Sequence, residues 1–126
     1  MRVFKTRFVA RFCKAEGIGD DLLADARARA ERGLIDAALG GGLIKQRVAR
    51  PGKGKSGGWR TLIAYRSGDR AVFLFGFAKN DLENLTTRQL ADYKVYGRSI
   101  LSADDDLIEA EIDDKRLMEI PYGEED

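Results

Sequence analysis

Three consecutive segments in the middle of the chain decide how it folds: LIKQRVAR at residues 43–50, PGKGKSGG at residues 51–58 and WRTLIAYRSGDRAVFLFGFAK at residues 59–79. The first segment and the start of the third alternate in the manner of strands. The second is rich in glycine and lysine and predicts a loop. Ser67-Gly68-Asp69 has the composition of a tight hairpin turn. Together these patterns predict three strands, over residues 43–50, 59–66 and 71–78.

The charge of this region has one sign. Residues 45–70 contain a single acid, Asp69, and eight bases: Lys45, Arg47, Arg50, Lys53, Lys55, Arg60, Arg66 and Arg70. Residues 1–80 hold 17 Lys+Arg and 7 Asp+Glu, whereas residues 81–126 hold 5 and 14. A field of one sign repels itself, so it indicates an anionic partner or substrate. The asymmetry between the two halves favours contact with a nucleic acid and an acidic tail.

The composition excludes several kinds of catalytic site. The chain has no histidine, which rules out Ser-His-Asp and Cys-His catalysis and histidine-containing zinc sites. Its one cysteine, Cys13, cannot form an internal disulfide and is interpreted as a small packed hydrophobe. No apolar run approaches the roughly 18 residues of a membrane-spanning helix, and the charged N-terminus is unlike a signal peptide. We therefore expect one cytoplasmic domain without a membrane contact.

Helices are predicted on both sides of the three strands. A first strand over residues 2–5 precedes a helix that begins after Thr6, carries Phe8 and Phe12 on one face and ends before Gly17. DDLLADARARAER, from Asp20, predicts a second helix. The glycines at positions 40–42 predict a hinge.

Two further helices follow the strands. Thr86 and Gln89 have the spacing of a capping box, and the acidic residues from Asp104 favour another helix start, with an end before Pro121. The predicted order is β-α-α-β-β-β-α-α. For the acidic tail, residues 103–126, two interpretations stay open: it shields the basic sheet, or it is structural.

The glycine-rich loop does not match a phosphate-binding loop. Gly54-Lys55-Ser56 has the right ending, but Ala49 replaces the required first glycine and a strand follows instead of a helix. The basic residues on the strands fit contact with an RNA backbone, because arginine clamps phosphates and lysine can exchange a proton. Tyr65 or Tyr93 could stack on a base. A solvated basic surface is the alternative.

The aromatic residues of the last strand also suggest roles. Phe73, Phe75 and Phe77 alternate and are predicted to share one face, mainly as core. Phe77, near the strand end, is the one expected to reach a substrate.

The chain resembles the RelE/ParE superfamily of bacterial toxins, and within it the HigB-like branch of RelE. The resemblance is carried by LIKQRVAR, GKGKSGGWRTLIAYR and FLFGFAKNDLENLT. It covers residues 1–101 as a toxin domain, and residues 102–126 are predicted to be an acidic helical extension of that domain. It implies an α+β fold, with two N-terminal helices against a small twisted antiparallel sheet, followed by C-terminal helices.

The resemblance also implies a function. RelE-like members cleave mRNA in the ribosomal A site without a metal, and a cognate antitoxin neutralises them. We therefore expect a ribosome-dependent mRNA endoribonuclease with no metal or other cofactor, whose partners are the ribosome, mRNA and an antitoxin of helix-turn-helix type. The alternatives are a ParE-like inhibitor of gyrase and a non-catalytic nucleic-acid-binding domain.

Residue roles follow from the same resemblance. Arg60 matches the phosphate-stabilising arginine of the family, Lys45 and Arg47 its basic pair, and Lys79 a basic position after the last strand. RNA binding is expected of Arg50, Lys53, Lys55, Tyr65, Arg66, Phe77 and Lys94. Asn80 and Thr86 stand where RelE proper has an arginine and a tyrosine, so the proton-transfer role stays open among Tyr65, Tyr93 and Lys94.

Overall fold

The computed structural model describes residues 1–50, 58–78 and 85–121 as an α+β fold, which confirms the predicted class. Six strands form one sheet in the order β2-β3-β4-β5-β1-β6. Neighbouring strands are antiparallel except β1 and β5, which are parallel. The elements are β1 (Arg2–Thr6), α1 (Arg7–Glu16), α2 (Asp20–Glu31), β2 (Ala37–Gly40), β3 (Leu43–Val48), β4 (Trp59–Arg66), β5 (Arg70–Ala78), α3 (Thr87–Ser102), α4 (Asp105–Asp113) and β6 (Leu117–Glu119).

Helices cover both faces of the sheet. On one face, Ile44 and Ile63 pack with Leu23 of α2 and Val9 of α1. The other face packs against α3 and α4, through Leu43, Leu62, Ala64, Ile100, Leu101 and Ile108. Burial on both faces explains why β5 is apolar along almost its whole length. None of the described helices is long and apolar enough to cross a membrane.

The predicted helix ends are confirmed where a capping residue marks them. The Thr6 hydroxyl accepts a hydrogen bond from the Val9 amide at 3.2 Å. Gly17 ends α1 with φ of 75°, and its amide donates to the Cys13 carbonyl. Thr86 and Gln89 bond reciprocally at the start of α3, as a capping box requires. Local side-chain chemistry therefore places these ends largely independently of the tertiary structure.

Two strands are absent from the predicted order. Residues 37–40 form β2, and the glycines predicted as a hinge make the β2–β3 turn, with φ values of 95°, 63° and 83° at Gly40, Gly41 and Gly42. After α4 the chain turns at Lys115, where φ is 63°, and adds β6 to the sheet beside β1. The described part of the acidic tail therefore completes the sheet, three strands away from β4.

The face predicted for the β5 phenylalanines was wrong, because a bulge interrupts the strand. Leu62 pairs with Phe75 and Ile63 with Phe73, so Leu74 is an extra residue of β5 that has no partner in β4. Phe73 consequently packs on the α1 and α2 face, and Phe75 and Phe77 on the other.

Gly76 lies where the sequence predicted a bulge or a close approach. A Cβ built on it would come within 2.5 Å of the Phe12 ring, so the close approach is confirmed.

The tail is also held by ion pairs, which predicts a pH dependence of stability. The Arg2 guanidinium bonds to Glu119 and lowers the pKa of that carboxyl below its ordinary value of 4.5. A lowered folded-state pKa means that the stabilisation is present above that ordinary value and lost as the pH falls through the lower one. We expect Glu119→Gln to remove part of the fall in melting temperature between about pH 5 and pH 3. An equal fall in melting temperature with pH for Glu119→Gln and the wild type would contradict this.

Candidate nucleic-acid interface

Two arginines face each other near one end of the β3–β4 strand pair. Arg47 of β3 pairs with Arg60 of β4, and Arg60 pairs with Phe77 of β5, so the three side chains leave the same face in one row. Phe77 is buried in the core, with 3% of its surface exposed, so the prediction that it reaches a substrate was wrong. Residues directly opposite in an antiparallel pair have Cβ atoms about 5 Å apart, and like charges there are destabilising. Arg47 and Arg60 are both half-buried, and two cations placed side by side on one face favour an anionic ligand.

Lys45 adds a third cation in the neighbouring row. It precedes Arg47 by two residues, or about 7 Å along the strand, and pairs with Leu62, which pairs with Phe75. Lys45, Arg47 and Arg60, here called the basic cluster, thus share one face of two adjacent strands. These three are predicted site residues, and the structure brings them together.

The residues between these cations fix the register of β3. Gln46 is fully buried; its amide group donates to the Ala26 and Leu34 carbonyls, both at 3.0 Å, and accepts from the Asp36 amide at 3.1 Å. Thr61, which is also buried, donates to the Gln46 carbonyl at 2.8 Å. With this polar row bound to α2 and to the chain before β2, its neighbours Lys45 and Arg47 must point to the opposite face.

Gly58 gives the Arg47 side chain its path. A Cβ on Gly58 would lie 2.8 Å from the Val48 carbonyl oxygen and 3.0 Å from Arg47 Nε. Any larger residue would displace the arginine or the strand end. Glycine at position 58, the last residue of PGKGKSGG, is therefore explained by the Arg47 side chain that lies against it.

An aromatic cluster lies beside the basic cluster. It consists of Phe75 and three rings around it: the centroid of Phe75 is 4.9 Å from that of Phe8, 5.8 Å from that of Phe77 and 5.3 Å from that of Tyr93. Burial raises the pKa of the Tyr93 hydroxyl. Near neutral pH that hydroxyl stays protonated, so it can donate a proton but not accept one.

Two predicted site residues lie on the other face. Tyr65 packs with the α1 and α2 cluster, and its hydroxyl donates to Glu31. Burial, together with this hydrogen bond, raises the pKa of the phenol. The Arg50 guanidinium lies 5.4 Å from the centre of the Trp59 ring, which belongs to the same cluster. Neither side chain joins the basic cluster.

Two more predicted site residues, Arg66 and Lys94, lie on the same face as the basic cluster but toward the opposite end of β3 and β4. Arg66 bonds to Asp69 and to the Leu101 carbonyl, six residues and about 20 Å along β4 from Arg60. Lys94 of α3 lies beside Gly40, at the turn end of β3. Lys53, Lys55 and Lys79 lie outside the described residues.

The acidic residues and the cysteine have structural surroundings. The Asp104 carboxylate accepts from the Leu107 amide and caps α4. Cys13 is buried, which raises the pKa of its thiol to about 11. Over residues 1–50, 58–78 and 85–121, no three acidic or cysteine residues form a group that could hold a metal ion.

Comparison with known proteins agrees with this arrangement. A family model described as the RelE toxin of the RelE/RelB toxin-antitoxin system matches residues 1–120. No curated protein matches the chain. The match includes all six strands and extends past residue 101 into the acidic segment. The chain therefore belongs to the RelE toxin family, whose members are the toxins of toxin-antitoxin pairs and have an antitoxin as partner.

Proposed function

We propose that the protein is a ribosome-dependent endoribonuclease that cuts mRNA through the 2′-hydroxyl beside the scissile phosphate and thereby stops translation. The observation that carries this proposal is the basic cluster, in which Arg47 and Arg60 are held directly opposite each other. Two guanidiniums so placed suit a phosphate that gains negative charge during the reaction. The family membership supports the same function.

The proposed mechanism assigns charge stabilisation to the arginines. As the 2′-oxygen attacks, the phosphate gains a negative charge, and Arg60, assisted by Arg47, stabilises it through charged hydrogen bonds. Lys45, one row away, is proposed to bind the same backbone. Tyr93 keeps its proton near neutral pH and is proposed to give it to the departing 5′-oxygen. The remaining proton transfer is proposed here for Lys79, which matches a basic position of the family and lies outside the described residues.

The family gives the protein an antitoxin as partner, and the finer proposals concern its type and the location of the pair. We propose a helix-turn-helix antitoxin with an acidic or amphipathic segment that covers the basic cluster, in the cytoplasm. Complementary charge would speed this encounter.

The cleavage products test the mechanism. Purified toxin and translating ribosomes should give a 2′,3′-cyclic phosphate or 3′-phosphate upstream of the cut and a 5′-hydroxyl downstream, because the 2′-oxygen is the nucleophile. An mRNA with a single 2′-deoxy or 2′-O-methyl group at the cut site should stay intact. Cleavage should continue in EDTA if polyamines keep the ribosome assembled.

Other outcomes would identify a different activity. A 3′-hydroxyl product, or a metal requirement in the chemical step, would sink this mechanism even for a true nuclease. If mRNA stays whole while gyrase loses supercoiling activity, the protein is a gyrase inhibitor. If neither changes and RNA still binds, it is a non-catalytic binding domain.

A further inference from the structure

Phe8 is a large apolar residue that the fold leaves partly in water. It is the second residue of α1, and 45% of its surface is exposed. One side of its ring stacks on Phe75 at 4.9 Å, with only 12° between the ring planes. The ring is thus held in a fixed orientation while much of it remains accessible. A flat apolar surface of this kind can accept a second ring.

Phe8 lies next to the proposed site in the direction that runs across the strands. The sheet order places β3, β4, β5 and β1 side by side, and α1 follows β1 directly. The basic cluster occupies β3 and β4, Phe75 and Phe77 occupy β5, and Phe8 comes next. The whole line spans about three strand spacings, or roughly 14 Å.

The helix that carries Phe8 exposes three cations and one acid, and the acid lies at the far end of the helix from Phe8. Arg7, Arg11 and Lys14 are exposed, and no acidic residue occurs in its first turn. Glu16, the only acid of α1, accepts a hydrogen bond from the Trp59 indole at 3.0 Å. A stacking ring between cations is the arrangement with which proteins bind single-stranded nucleic acids.

Among the residues that the structure describes, the other large exposed hydrophobic residues lack this combination of a flat ring and cationic neighbours. Leu34, Val95 and Leu107 are aliphatic and offer no flat ring. Tyr96 has a ring, but both an acid and a base act on it: burial raises the pKa of its phenol, Glu111 adds to the rise and Arg116 opposes it. The acid makes this site less favourable for an RNA backbone than the surroundings of Phe8.

We propose that Phe8 stacks on a base of the single-stranded mRNA beside the cut site, and that Arg11, one helical turn away, contacts the adjoining phosphate. This inference rests on the proposed function, since it extends the same RNA surface. It assigns to α1 a role in holding the substrate, separate from the chemistry at Arg60.

A binding measurement without cleavage tests the inference separately from the reaction. The probe is a fluorescent single-stranded RNA with 2′-O-methyl groups throughout, titrated with the wild-type chain and variants and followed by anisotropy. Phe8→Ala should weaken binding about 10-fold or more, the usual effect of losing one stacked base. Phe8→Trp should retain binding, whereas Phe8→Leu, which keeps apolar contact with Phe75, should not. Leu34→Ala, at an aliphatic residue that is 57% exposed, is the matched control.

Cleavage kinetics give a second readout. On translating ribosomes Phe8→Ala should raise KM and leave kcat within about threefold, as expected for lost binding that does not change during the reaction. Equal RNA affinity of Phe8→Leu and wild type would overturn the inference and make Phe8 a packing residue. Unchanged RNA affinity of Phe8→Ala with weakened antitoxin binding would overturn it in favour of a protein-binding role. If RNA binds through Phe8 but is never cut, the proposed reaction fails and the stacking role stands.

Discussion

Replacement of Arg60 by alanine is expected to slow mRNA cleavage about 100-fold or more while the protein stays folded, because a stabiliser of transition-state charge is lost. The fold depends little on this side chain: its described hydrogen bond is a long one, 3.4 Å to the carbonyl of the preceding residue. Like charges directly opposite each other in an antiparallel pair are destabilising as a rule, so removal of Arg60 beside Arg47 should not lower the stability. We therefore expect a melting temperature equal to or slightly above that of the wild type.

Single-turnover cleavage on translating ribosomes, together with thermal unfolding, measures both effects. Arg60→Lys should recover only part of the rate, because an ammonium cannot clamp two phosphate oxygens in the plane of a guanidinium. Arg32→Ala is the control, since it removes an exposed arginine from the end of α2, the helix on the opposite face. A variant that lost its stability together with its activity would show that Arg60 has a structural role.

Much of the fold could be predicted from local patterns, and the errors have physical causes. Thr6, Gly17 and the pair Thr86 and Gln89 determine helix ends through their own hydrogen bonds, and all were predicted correctly. Strand β2 was missed because AALG has the composition of a helix, and only its pairing with β3 makes it a strand. Strand β6 has three residues, too few to show alternation.

The candidate site depends on register, which a single strand cannot reveal. Arg60 and Tyr65 are five residues apart in WRTLIAYR, so alternation puts them on opposite faces of β4, as the structure shows. The pattern itself therefore argues against grouping them in one site. Arg47 and Arg60 lie opposite each other because of the register in which β3 pairs with β4, and neither strand shows that register by itself. The contacts of Phe8 could not be predicted from the sequence alone. Helical spacing puts Phe8 and Phe12 on one face of α1, but it does not show that Phe12 packs against Gly76 and Phe8 on the ring of Phe75.

Replacement of Gln46 by methionine is expected to lower the free energy of unfolding by about 2 to 4 kcal/mol. Methionine keeps the length and much of the volume of the side chain but removes every hydrogen bond. The Ala26 and Leu34 carbonyls and the Asp36 amide then lose the partner that ties α2 to β3. Chemical denaturation measures this loss. Ile44→Val, two residues along the same face of β3, is the control for volume and should cost about 1 kcal/mol.

Gln46→Glu separates the hydrogen bonds from the packing. The carboxyl can still accept from the Asp36 amide, but as an anion it would face the Ala26 and Leu34 carbonyls in a fully buried position. Burial raises the pKa of such a group, so its neutral form is favoured on folding and the protein gains stability as the pH falls through that raised value. The wild type loses stability over the acid range because of carboxylates such as Glu119. The difference in unfolding free energy between Gln46→Glu and the wild type should therefore narrow toward low pH, and a constant difference would show that Gln46 acts through its shape alone.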